Sequence, residues 1–159
     1  MPRSDGDCLE WVRVALVKTP AENNKSATFT NPTKLLILLV HADKSCRKGR
    51  PGCTDCFFEK NQKVADYIVS MPDVVDVIVE LKGTDVMAAV EQIEATIPTW
   101  QAHEHYSGKI GALVVSSKGG SHPKVLAKFL IKQEKFKQRG IRLRHVTDSK
   151  SAVEFSAFL

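Results

Sequence analysis

Aromatic side chains are scarce: two Trp, two Tyr and seven Phe make up 7% of the 159 residues. With so few rings and no recognition-helix or stacking motif, nucleic-acid binding would have to rest on charge alone. Long hydrophobic runs are also missing. The longest, Leu35 to Val40, is far below the roughly 20 residues that cross a bilayer, and no signal-peptide apolar segment opens the chain, so a soluble chain without membrane insertion is expected. Cysteine is limited to Cys8, Cys46, Cys53 and Cys56, with the first far from the others. That spacing is no disulfide framework, and the expectation is reduced thiols in a cytoplasmic setting.

The composition that remains, 43% hydrophobic and 26% charged, is that of one globular domain. Roughly 70% of the unfolded surface of such a chain is buried on folding, enough for one core without metal or disulfide. Net charge is +5, and its placement is uneven. Asp73, Asp76, Glu80, Asp85, Glu91 and Glu94 stand against Lys82 alone, whereas the stretch from Lys124 to Lys150 is Lys- and Arg-rich with only Glu134 and Asp148. Such runs are either solvated faces or complementary patches that steer association.

Residues 1–33 read as an arm: Trp11 to Val17 could be an extra strand, and Glu22 to Pro32 is a polar linker. A single α/β domain then fills 34–159. Leu35 to Val40 has the continuous apolar character of a strand covered on both faces. Phe57, Asn61, Val64 and Ile68 step by four, three and four, which predicts a helix ending near Met71-Pro72. Val74 to Leu81 is β-branched and strand-like. Val86, Val90, Ile93 and Ile97 predict a second helix, opened by Thr84 or Asp85 as N-cap and ending at Pro98.

Ile110 to Val115 is a third strand. Val125, Leu126, Phe129, Leu130 and Phe136 then form the buried side of a helix whose other side carries Lys124, Lys128, Lys132, Lys135 and Arg139. Gly140 suits its end, Ile141 to Val146 alternates as a strand, and Ser149 to Leu159 can supply a last short helix. Four strand-helix units in succession predict parallel strands joined by crossovers: an α/β flavodoxin-like three-layer sandwich with a mainly parallel sheet of four to five strands.

Several constellations carry chemistry. Cys53-Thr-Asp-Cys56 could open a helix with an acidified thiol, and Ile97-Pro98-Thr99 is similar to the cis-proline segment of thioredoxin-like proteins. A thiol-disulfide oxidoreductase is therefore one alternative, although the connection from His41 to Gly52 is long for that motif. His41, Cys46, Cys53 and Cys56 contain the ligand types of a zinc site, but only one Cys-x-x-Cys is present, and no metal or other cofactor is expected. Gly119-Gly-Ser-His-Pro123 reads as a tight turn whose proline starts a helix rather than as a phosphate cradle. The histidines form no triad by spacing, and Ser116, Ser117 and Ser121 lack a nucleophile-elbow pattern.

The run Lys34-Leu-Leu-Ile-Leu-Leu-Val-His-Ala-Asp-Lys-Ser45 resembles the first box of SEFIR domains. Val75 to Leu81 is similar to their second strand, and Lys109 to Gly119 resembles their second box, a strand closed by a Ser-Lys-Gly turn. That resemblance implies a cytoplasmic signalling module related to TIR domains, of the kind found in interleukin-17 receptors and their adaptor, acting by homotypic association. TIR enzymes that cleave NAD use a glutamate in the helix after the Ser-type turn, and His122 to Phe129 contains none.

The residues independently suggest a non-enzymatic interaction module. Asp85, Glu91 and Glu94 of one copy would meet Lys124, Lys128 and Lys132 of another, with Lys118, Lys135 and Arg139 extending the basic face. A basic nucleic-acid-binding protein is the third reading.

Overall fold

Apolar residues on both faces of a strand require a cover on each side, and the main sheet of this chain is built that way. The structure is a computed structural model that describes residues 8–22, 24–49, 56–117, 122–147 and 151–159. Its elements are β1 (Leu9–Val12), β2 (Leu16–Lys18), β3 (Thr28–Thr30), β4 (Ile37–His41), α1 (Ala42–Ser45), β5 (Tyr67–Met71), β6 (Val75–Leu81), α2 (Val86–Gln101), β7 (Ile110–Val115), α3 (Pro123–Gln138), β8 (Arg142–Val146) and β9 (Ala152–Glu154). A 3-10 turn, Phe155–Phe158, ends the chain. The six-stranded sheet runs β1-β4-β5-β6-β7-β8, and a smaller sheet runs β2-β3-β9.

The expectation of a mainly parallel, flavodoxin-like sheet is corrected. β1 with β4, β4 with β5 and β5 with β6 are antiparallel, and only β6 with β7 and β7 with β8 are parallel. The error lies in residues 57–71. They hold no long helix: an irregular segment leads into β5, and Pro72-Asp73-Val74 turns directly into β6. Asp73 adopts a left-handed φ of 63°, which Asp tolerates in turns, and the Val74 amide donates to the Met71 carbonyl at 3.0 Å. A connection this short cannot cross over a sheet, so β5 and β6 must be antiparallel.

The βαβαβ pattern is confined to β6 through β8. Within it, the local signals act as expected. Asp85 caps α2, accepting from the Ala88 amide at 2.9 Å. Helix α2 nevertheless runs through Pro98 to Gln101, so this proline is helical and not part of a thioredoxin-like cis segment; no cis peptide occurs among the described residues. Pro123 opens α3, and Gly140, with φ 75°, closes it. The Ile141 amide donates to the Phe136 carbonyl and the Gly140 amide to the Lys137 carbonyl, both at 2.9 Å, which is a Schellman termination.

The arm is built into both sheets. β1 pairs with β4, while β2 and β3 form a hairpin whose second strand lies parallel to β9. The end of the chain, expected as a helix, is instead this strand and the 3-10 turn. Alternation places Leu38, Val40, Ile78, Ala112 and Val114 against α2 and α3, and Ile37, Leu39, Val77, Val79 and Val115 against the small sheet. The layers are thus helices, six-stranded sheet and three-stranded sheet. Gly111 allows the closest approach: a Cβ there would lie 2.6 Å from Phe158 Cβ.

Candidate interaction surface

The cysteines do not assemble a metal or redox centre among the described residues. Pairing of Leu9 with Val40 carries Cys8 over α1, and Cys8 and Cys46 form a disulfide with a Cα separation of 5.3 Å. The expectation of reduced thiols is corrected here, because sequence distance concealed a contact made by strand pairing. His41 Nε2 is 3.1 Å from Glu10 Oε2. Cys56 is half-buried, and Cys53 lies outside the described residues. No group of three or more potential metal ligands occurs among the described residues.

The bridge closes a separation of 38 residues. Replacing Cys8 and Cys46 together by Ala should cost about 2–4 kcal/mol. Urea unfolding of the variant should match that of the wild type in dithiothreitol. An unchanged midpoint in both would show that the bond contributes nothing.

The charged stripes lie side by side on one chain. Lys132 Nζ is 2.9 Å from Glu94 Oε2, joining α3 to α2, and Lys63 Nζ is 3.0 Å from Glu91 Oε2. Asp85 is engaged as the α2 cap. The acidic residues expected to meet another copy therefore have partners within the molecule. Lys124, Lys128, Lys135 and Arg139 are exposed, with the Arg139 guanidinium 5.7 Å from the Phe136 ring centroid; Lys118 lies outside the described residues.

Helix α3 exposes far more apolar surface than its pattern predicts. Only Phe129 and Phe136 are buried. Leu126 and Leu130, expected in the core, are 48% and 54% exposed, and Ile131 is 59% exposed. The helix meets the sheet along a narrow strip because β8 is the last strand, and nothing beyond it covers the next row of side chains among the described residues. At 3.6 residues per turn, Leu126 and Leu130 point toward β8, Ile131 forms the crest, and the Lys stripe descends toward α2.

Between α3, the β8 edge and the terminal turn lies an open groove of about 850 Å³. Its charged lining includes Lys109, Lys137, Arg142 and Arg144 against Glu134 alone, and Leu130 and Leu159 supply apolar wall. At its head, Ser116 Oγ and His145 Nε2 are hydrogen bonded at 2.5 Å, a pair that no sequence motif marks. Burial lowers the His145 pKa below its ordinary value, so the ring is neutral at pH 7. Ser116 has no accessible surface, and its hydroxyl cannot meet a substrate in this arrangement.

One further cluster was invisible to spacing. Asp66, just before β5, and Glu80, near the end of β6, are both buried. Glu80 Oε2 accepts from the Asp66 amide at 3.1 Å, and Asp66 Oδ2 accepts from the Leu81 amide at 2.8 Å. Burial is the main cause that pushes Asp66 up to about 7, with Glu22 and Asp43 adding negative charge. Burial, then the charge of Asp66, pushes Glu80 up to about 8. The pair clasps the open end of the β5–β6 hairpin.

The architecture is that of a mixed α/β sandwich whose main sheet ends at β1 and β8, with a basic helix that exposes apolar side chains beside the β8 edge. Comparison of the chain with family models, curated proteins and solved structures gives no match.

Proposed function

We propose that the chain is a non-enzymatic interaction module that docks an acidic partner protein on the outer side of α3. The observation that carries this reading is the exposure of Leu126, Leu130 and Ile131 beside Lys124, Lys128 and Lys135. Contiguous apolar surface rimmed by charge marks an association site. Each aliphatic side chain fully covered contributes about 1.5–3 kcal/mol, whereas each exposed ion pair contributes about 0–1 kcal/mol. The apolar crest therefore supplies affinity, and the lysines supply orientation and rate.

A different, acidic partner fits better than a second copy. Two copies meeting through this face would oppose lysines to lysines, and Glu91 and Glu94 already have ion-pair partners in their own chain. A nucleic acid would use the lysines but leave the aliphatic crest without a purpose. The Cys8–Cys46 bond supports a compartment where disulfides persist, in contrast with the cytoplasmic setting expected from reduced thiols.

The test uses wild type and Leu130→Asp/Ile131→Asp as paired baits, followed by reconstitution from purified components. An acidic protein recovered by wild type should bind again when purified and lose at least tenfold in affinity with the variant, about 1.4 kcal/mol. The variant's melting temperature should stay close to that of wild type, since both positions are exposed. Equal binding by both baits, or binding that nuclease treatment abolishes, would overturn the reading.

A further inference from the structure

We infer that the partner presents an extended segment with alternating acidic and apolar residues, which adds as a seventh strand to the edge of β8 that no strand pairs with among the described residues. This rests on the docking face proposed above and specifies what enters the groove beside it.

The backbone of β8 determines the geometry. The Val146 carbonyl accepts from the Ser116 amide at 3.0 Å, so Val146 faces β7 with its main-chain groups, and by alternation Arg142 and Arg144 do the same. Leu143 and His145 then direct their amides and carbonyls out of the sheet. Gln133 Nε2 donates to the Leu143 carbonyl at 2.8 Å and covers that group. The Leu143 amide and both main-chain groups of His145 point into the groove. An open edge of this kind is a template for strand addition.

Side chains on β8 set the preference of the incoming segment. Leu143 lies on the α3 side, packed in the cluster of Phe129 and Phe136, and His145 shares that face, its ring 5.5 Å from the Phe129 ring. Arg142 and Arg144 lie on the opposite face, toward the terminal turn, and both are exposed. A strand laid against β8 places successive side chains on alternate faces. Every second residue would lie beside Arg142 or Arg144, where a carboxylate is favoured. The intervening residues would lie under Leu130, where an apolar side chain covers surface that water now touches. Lys109 and Lys137 at the groove's margin reinforce the demand for negative charge. The chain's own acidic and apolar alternation, Val75 to Leu81, is β6, paired on both sides within the sheet, so a folded second copy cannot present it.

The probe is a fluorescein-labelled decapeptide of alternating Glu and Val, followed by anisotropy with the full chain. Two further peptides carry N-methyl groups, one on every Glu nitrogen and one on every Val nitrogen. Strand addition places alternate amides toward β8, so one methylated peptide should bind like the parent and the other should lose at least tenfold. Arg142→Glu/Arg144→Glu should weaken the parent peptide at least tenfold, and the peptide should slow hydrogen exchange at the His145 amide at least tenfold.

Equal behaviour of the two methylated peptides, indifference to the arginine variant, or no binding at millimolar peptide would overturn the inference. If Leu130→Asp/Ile131→Asp still loses the partner protein in those cases, docking on α3 stands and only the added strand is wrong. If the peptide binds as expected while that variant keeps its partner protein, the strand site stands and the helix reading fails.

Discussion

Asp76→Ala is expected to remove about 3–5 kcal/mol of stability, a large part of the roughly 5–15 kcal/mol available to a domain. Asp76 sits on β6 with no accessible surface. Its Oδ1 accepts from Ser70 Oγ at 2.5 Å, and its Oδ2 accepts from Trp100 Nε1 and from the Ser107 amide, each at 2.8 Å. One carboxylate thereby ties β5, the end of α2 and the loop before β7 to the middle of the sheet. Alanine would leave the buried Trp100 indole N–H and Ser70 hydroxyl, and the partly buried Ser107 amide, without their acceptor, and each fully buried group left so costs about 1–3 kcal/mol.

Asp76→Asn keeps the volume and an oxygen for the Trp100 and Ser107 donors, and its Nδ2 can donate to the Ser70 hydroxyl, but it gives up the charge-assisted bonds, so a smaller loss of about 1–3 kcal/mol is expected. Urea unfolding followed by far-UV circular dichroism reads both variants. A loss below about 1 kcal/mol for the alanine variant would show that the network is dispensable.

Stability of the wild type is expected to rise as pH falls from 9 to 6.5, the reverse of the usual carboxylate behaviour. Asp66 and Glu80 hold their protons more tightly when folded, with values near 7 and 8 against ordinary values of 3.8 and 4.5. Between those limits the folded state binds more protons than the unfolded chain, so the slope of unfolding free energy with pH is negative. The contribution is fully present below the unfolded values and is lost as pH rises through about 7 and then about 8.

A tenfold difference in proton affinity corresponds to about 1.4 kcal/mol. With allowance for relaxation and water entry around the clasp, a change of about 2–4 kcal/mol from pH 9 to pH 6.5 is expected. His103 and His145, whose pKa values are lowered by burial, act in the opposite sense as pH approaches and falls below their ordinary 6.5, so the window stops before most of their contribution. Asp66→Asn and Glu80→Gln preserve an acceptor for the amide each carboxylate holds. Each should flatten the profile and raise stability at pH 8.5. A wild-type profile that is flat or falls toward pH 6.5 would rule out the protonated clasp.

Much of the chain from Val75 to Val146 was legible because its signals are local. Apolar and β-branched runs marked the strands β6 and β7, the spacing of Val86, Val90, Ile93 and Ile97 marked α2, and the apolar row from Val125 to Phe136 with the basic stripe from Lys124 to Arg139 marked α3. Asp85, Pro123 and Gly140 act within one turn of their own positions, so their roles survive folding unchanged. Phe57, Asn61, Val64 and Ile68 illustrate the opposite case. Their spacing fits a helix, yet Val64 to Val69 is a continuous buried stretch that folds into the approach to β5 and the strand itself. Short apolar segments satisfy both periods, and the competing strand pairings on either side of β5 decide between them.

The candidate surface was half legible for a similar reason. Lys124, Lys128, Lys132, Lys135 and Arg139 form a real stripe on α3, because helix geometry alone places them. Leu126 and Leu130 belong to the apolar row that normally faces a core, and their exposure depends on β8 being the last strand of the sheet. Periodicity reports which side chains share a face. It is silent on how wide a surface that face will find opposite it.

The sequence by itself determined the βαβαβ half from β6 to β8, the caps of its helices and the separation of acidic from basic residues, since each depends on neighbours within a few positions. The tertiary structure alone decided the antiparallel half of the sheet, the Cys8–Cys46 bond, the Lys132–Glu94 pair, the Ser116–His145 contact and the Asp66–Glu80 clasp. Each of these joins positions that no local period relates, and their meeting is selected by which strands bury the most apolar surface together.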